Sequence, residues 1–96
     1  MAKVSILSWA EIPSVVEARD GEGRHKVELS ARFQELIDMA AMRRGLAGTD
    51  AYLEAWSRGR PAEHPGSARE AAEAVAADLE QRFEDVRTGV IASFGP

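Results

Sequence analysis

The sequence predicts an α+β fold: a small three-stranded antiparallel sheet covered by two to three helices, in a single domain spanning residues 1–96. Three observations carry that expectation. Strand-like runs at Lys3–Trp9, Ser14–Arg19 and Arg24–Leu29, the last alternating apolar with polar, precede two segments, 30–44 and 67–94, in which apolar residues recur at three- and four-residue steps. Asp20-Gly21-Glu22-Gly23 is a hairpin signal, because each glycine tolerates positive φ and Asp-Gly is a favoured turn dipeptide. Ser67-Ala68-Arg69-Glu70 is a capping box, which marks a helix start by satisfying two orphaned backbone donors reciprocally.

Taken in order, Lys3 to Trp9 reads as a central strand with apolar groups on both faces. Pro13 cannot donate to a ladder, so Ala10 to Pro13 is placed in a turn or at the beginning of the next strand, which runs from about Ser14 to Arg19. The third strand is Arg24 to Leu29, where Val27 and Leu29 alternate with Lys26 and Glu28. Ser30 is the expected N-cap of a helix through Arg44, with Phe33, Leu36, Ile37, Ala40 and Ala41 on one stripe and Gly45 ending it. Thr49 or Asp50 caps a second helix that carries Tyr52, Leu53 and Trp56 on one side and closes at Gly59. Residues 1–60 thus hold the sheet and two helices, residues 61–66 form a linker with two prolines and a glycine, and residues 67–94 form an acidic C-terminal helix. Its seam is Ala72, Val75, Leu79, Phe83, Val86 and Val90, with fraying expected at Gly89.

Composition limits the chemistry. The chain has 96 residues, a net charge of −4 and no cysteine, which excludes a disulfide framework, a thiolate metal site and a thiol nucleophile. A chain of this size buries about 60–65% of its unfolded surface, enough for one core. No apolar run approaches the about 18–20 residues of a membrane span, and the start does not read as a signal peptide, so cytoplasmic residence is expected. Residues 1–60 carry nine acids and nine bases, whereas residues 61–96 carry seven acids and three bases, so the whole −4 belongs to the C-terminal third. A pI near 5.1, without a helix-turn-helix or aromatic RNA-binding signature, speaks against nucleic acid. His25 and His64 lack ligand-like spacing, and no metal or cofactor is expected.

The bases of the first 60 residues gather around the hairpin (Arg19, Arg24, His25, Lys26), at Arg43 and Arg44, and at Arg58 and Arg60. Cations at helix C-termini have a simple explanation in the helix dipole. If they converge with the hairpin bases, however, Arg24, Lys26 and Arg43 form an anion-binding site. Glu35 and Asp38 sit one turn apart on the first helix, where an ordinary solvated face is the simpler reading. Trp9, Tyr52 and Trp56 are large aromatics suited to cores and interfaces alike, and core packing is the simpler reading for each alone. The Trp9-Ala10-Glu11-Ile12-Pro13 segment is the one that reads as the rim of a recognition surface.

At Trp9-Ala10-Glu11-Ile12-Pro13, Arg32-Phe33-Gln34, Ile37-Asp38, Ala41-Met42-Arg43 and Gly48-Thr49-Asp50-Ala51-Tyr52-Leu53, the sequence resembles the small bacterial "virulence factor" domain family. The likeness covers most of residues 3–58, and the acidic helix after Ser67 matches only in character. The resemblance implies a domain found alone or appended to larger proteins, in some cases beside folate- or corrinoid-linked one-carbon enzymes. It brings no catalytic residue.

The expected function is a non-enzymatic accessory or protein-interaction module, with Trp9, Glu11, Pro13, Arg32, Gln34, Asp38, Arg43, Asp50, Tyr52 and Trp56 as contact candidates. The partner is another protein or a second copy paired through the helix seam. The alternative is a small anionic-ligand-binding protein or enzyme that uses Arg24, Lys26, Arg32 and Arg43 as a clamp and Asp38 as acid or base.

Overall fold

A computed structural model of the chain describes residues 1–95 and confirms the α+β class in a single compact domain, but with five strands and four helices. Strands β1 (Ala2–Trp9), β2 (Ile12–Arg19) and β3 (Arg24–Glu28) form the expected antiparallel meander. Two short strands, β4 (Trp56–Arg58) and β5 (Ala62–His64), then pair antiparallel with successive halves of the outer edge of β1. The sheet is therefore five-stranded, not three-stranded, and β1 is central.

Both added strands fall where the sequence suggested something else. The second helix, α2 (Asp50–Glu54), stops five residues before Gly59, because Trp56 turns into the ladder opposite Trp9 and the Ala10 amide donates to the Ala55 carbonyl at 2.8 Å. The expected 61–66 linker contains β5, which lies between Pro61 and Pro65 and leaves both prolines outside the ladder. Three-residue strands are too short for any periodicity to announce them.

The β1–β2 connection is a two-residue turn, with Trp9 opposite Ile12 and Ala10 at φ 51°. Strand β2 begins at Ile12, two residues earlier than Ser14. It tolerates Pro13 because the register shifts there: Leu7 pairs with Val15 and Ser8 with Pro13, so Ser14 is the extra residue of a bulge. Helix α1 (Ala31–Arg43) ends as expected. Gly45 sits at φ 72°, with its amide on the Met42 carbonyl and the Leu46 amide on the Ala41 carbonyl, a Schellman cap.

The long C-terminal helix is two helices, α3 (Ala68–Gln81) and α4 (Phe83–Ser93), which meet at Arg82. The chain does not fray at Gly89; α4 runs past it. The break separates two packing jobs. The buried alanines of α3 (Ala68, Ala71, Ala72 and Ala76) lie against Ala2, Val4, Val16 and Ala18 on one face of the sheet. Phe83 and Val90 of α4 enter a second cluster with Trp9, Ile12, Phe33, Leu36, Ile37, Ala40 and Ala41 at the turn end. Of the expected seam, Val75, Leu79 and Val86 are only half-buried, and it is the alanine face of α3 that packs on the strands.

Candidate functional site

Helix α3 covers the face carrying Val4, Val16 and Ala18, and the opposite face of the same strands forms a cleft of about 380 Å³ that no helix residue lines. Alternation sends Lys3, Ser5, Glu17, Arg19, Arg24 and Lys26 to that side. Their register stacks charge in rows. Lys3 pairs with Arg19, and Arg19 pairs with Arg24, so three cations stand abreast across β1, β2 and β3. In the next row Ser5 faces Glu17 and Glu17 faces Lys26. Arg58 enters from β4 and bonds Glu17 at 3.1 Å, which occupies the carboxylate paired across the strands with Lys26. Among the described residues, no carboxylate forms an ion pair with Lys3, Arg19, Arg24 or Lys26.

Like charges directly opposite each other in a sheet are destabilising, so a row of three is a cost that folding alone does not explain. The row sits at the hairpin end of β2–β3, where Asp20 locks the turn by accepting from the Glu22 and Gly23 amides with one oxygen. The other oxygen of Asp20 accepts from the Ala68 amide at 2.7 Å, so the same carboxylate anchors the start of α3. The strand pairing and this anchor hold the basic row in place.

The hairpin bases Arg19, Arg24, His25 and Lys26 all line this cleft, and so does Arg58; of the anion-site candidates Arg24, Lys26 and Arg43, the first two are there. Arg43 does not converge with them; its guanidinium lies 4.8 Å over the Phe94 ring. Arg32 is held internally as well: it bonds Glu80 at 3.1 Å and stacks 4.4 Å over Phe83. The four-residue clamp is therefore not assembled. Asp38 accepts from the Gln34 side chain at 3.0 Å on the exposed face of α1 and does not line the cleft with Lys26 and Arg24, and Asp50 is exposed in the first turn of α2.

In the Trp9–Pro13 segment Trp9, Ile12 and Pro13 are buried, while Ala10 and Glu11 are exposed. Trp9 has no exposed surface, and its indole N–H donates to the Tyr52 carbonyl at 2.9 Å. Pro13 is buried at the bulge. Glu11 accepts both arms of the Arg44 guanidinium at 2.8 and 2.9 Å. Tyr52 is half-buried between Trp9 and Trp56, with ring centroids at 5.6 and 6.4 Å. Each of these residues contributes to the fold, and Glu11 is also exposed. Sequence reasoning grouped Arg19 with the other hairpin bases but missed Lys3 and left Arg58 in a separate cluster. Only the cross-strand register brings them together, and the Ser14 bulge sets it: a plain two-residue Ala10-Glu11 hairpin would place Lys3 opposite Ala18 instead of Arg19.

Four carboxylates sit below their ordinary values, each for a local reason. Hydrogen bonding from Arg44 lowers Glu11. The Ala68 amide lowers Asp20, and the Ser67 amide lowers Glu70. Burial pushes Glu80 upward, but the Ser30 hydroxyl and amide, with Arg32, outweigh it and leave the group lowered. A lowered folded pKa means that the charged form stabilises the native state. That contribution is complete above the ordinary values of 4.5 for Glu and 3.8 for Asp, and it is lost as pH falls through the folded values. The melting temperature should therefore be flat from about pH 7 to pH 5 and fall steadily below about pH 4.5. Melts across that range check this, and a flat profile down to about pH 3 would contradict the bonds assigned to these groups.

Among the described residues no group of His, Asp or Glu could hold a metal ion, and no helix is long and apolar enough to cross a membrane. The family model described as Virulence factor matches residues 7–91. No curated protein and no solved structure matches the chain.

Proposed function

The chain belongs to the virulence factor family, and from that premise we propose that it is a non-enzymatic accessory module that binds another protein through the basic face of its sheet. The observation that carries this reading is the Lys3–Arg19–Arg24 row, unpaired and exposed beside Lys26. A surface of this kind is relieved by an acidic partner and steers its approach over about one Debye length, roughly 10 Å at moderate salt. An open, helix-free floor suits a protein surface better than an enclosed small molecule, which favours walled and largely apolar pockets. The folate- and corrinoid-linked enzymes that the resemblance associates with this family are the first partners to test.

A second reading keeps the same residues: three cations abreast also suit a small phosphate or carboxylate anion. One variant separates the two. Arg19→Glu with Arg24→Glu leaves the core untouched, so the melting temperature should hold or rise. A protein captured from native lysate by the wild type should bind the variant at least about tenfold more weakly, with the wild-type affinity falling as salt rises. Capture unaffected by the double substitution would sink the proposal. A thermal shift with inorganic phosphate that the variant abolishes, with no captured protein, would favour the small anion.

A further inference from the structure

We infer that the outer edge of β3 accepts an extended acidic segment of the partner as a sixth strand; this inference rests on the basic-face reading above. β3 ends the sheet, and among the described residues nothing pairs with its outer side. The ladder it shares with β2 reveals which backbone groups are free. The Asp20 amide bonds the Gly23 carbonyl, and the Leu29 amide bonds the Ser14 carbonyl, so in this antiparallel register the bonded pairs are those of even-numbered β2 residues. Ala18–His25 and Val16–Val27 therefore exchange the bonds inside the sheet. The N–H and C=O groups of Arg24, Lys26 and Glu28 point outward.

Those three residues also place their side chains on the basic face, and all three are exposed. Backbone demand and side-chain charge thus coincide at the same positions. An incoming antiparallel strand would set its residues directly opposite Arg24, Lys26 and Glu28, where opposite charges across a pair are favourable and like charges are not. The edge accordingly selects an acid opposite Arg24, an acid opposite Lys26 and a base opposite Glu28. Read in the partner's direction, that is a base followed at alternate positions by two acids. Charged edge residues commonly guard a sheet against indiscriminate pairing, and here the guard is itself selective: neutral and basic strands are rejected, whereas an acidic one meets both free bonds and counter-charge. A second copy of β3 fits less well: antiparallel self-pairing centred on Lys26 meets Arg24 with Glu28 twice but sets that lysine against its own copy, so it satisfies two of the three preferences.

The test uses the full chain and a capped Thr-Lys-Thr-Glu-Thr-Glu-Thr peptide, with its charge-reversed counterpart as control. Strand addition predicts that the acidic peptide binds, that the amides of Arg24, Lys26 and Glu28 gain protection from hydrogen exchange, and that the control does not bind. Lys26→Pro removes an outward donor while leaving the bonds to β2 intact, and should weaken binding about tenfold or more. Should that variant fold poorly, Arg24→Glu with Lys26→Glu should swap the preference to the charge-reversed peptide. Binding that Lys26→Pro leaves unchanged but Arg19→Glu removes would overturn strand addition while leaving the basic-face reading standing. Binding of neither peptide, or a dimer that protects the β3 amides without peptide, would also overturn it; the capture experiment then decides the basic-face reading separately.

Discussion

Trp9→Ala should cost the domain about 3–5 kcal/mol. A single domain has only about 5–15 kcal/mol in total, so the variant would be partly unfolded near physiological temperature. The indole is fully buried opposite Ile12, with Tyr52 5.6 Å away and the Arg44 guanidinium 5.8 Å over its ring. Truncation opens a cavity where β1, β2 and β4 meet and also removes the indole donor from the Tyr52 carbonyl, which keeps only the longer bond from the Ala55 amide at 3.3 Å. Trp9→Phe keeps most of the ring volume and should lose less, about 1–2 kcal/mol, mainly for that hydrogen bond. Urea unfolding measures both. A loss below about 1 kcal/mol for alanine would mean that Trp9 is not the core residue described here. A Trp9→Ala variant is therefore unsuited to probing partner contacts, since lost binding would only report lost structure.

Phe83→Ala should cost a similar amount, about 3–5 kcal/mol, with its effect concentrated on α4. Phe83 is the first residue after the break at Arg82 and is the residue that the break delivers to the core. Its ring meets Phe33 edge-on, at 4.9 Å and 80°, and carries the Arg32 guanidinium at 4.4 Å. Arg32 is fixed in turn by Glu80, whose carboxylate also accepts from the Ser30 amide and hydroxyl at 2.7 and 2.8 Å. This explains why Ser30, at the N-cap position of α1, does not cap its own helix: its hydroxyl serves the junction with α3. Hydrogen exchange in the variant should accelerate across Phe83–Ser93 more than in α3 or the β1–β2 ladder. Uniform acceleration would contradict the two-helix description.

The long elements were readable because each has a pattern longer than its own period. The β1–β2–β3 meander, α1 with its Gly45 stop and the Ser67 capping box all stand at or within two residues of their expected places. What failed was set by distant pairing. β4 and β5 exist because β1 offers an unpaired edge, and three residues of sequence carry no trace of that. The Arg82 break follows from Phe83 and the alanine face of α3 having to reach different clusters, while the apolar spacing ran on unbroken from Ala72 to Val90. For the site, Arg24 and Lys26 were visible as a local basic cluster. Lys3 and Arg58 are distant in sequence, and only register places them in the same cleft. The residues that carry the family resemblance, Trp9, Glu11, Arg32 and Tyr52 among them, hold the fold together.

The central claim is that the helix-free basic face is the contact surface. Its most direct test is an amide NMR titration of the full chain with poly-glutamate at low salt. Shifts are expected to centre on Lys3, Arg19, Arg24, Lys26 and Arg58, to reverse on addition of salt and to vanish in the Arg19→Glu with Arg24→Glu variant. Shifts centred on α1 around Gln34 and Asp38, or no shifts at any residue, would contradict it.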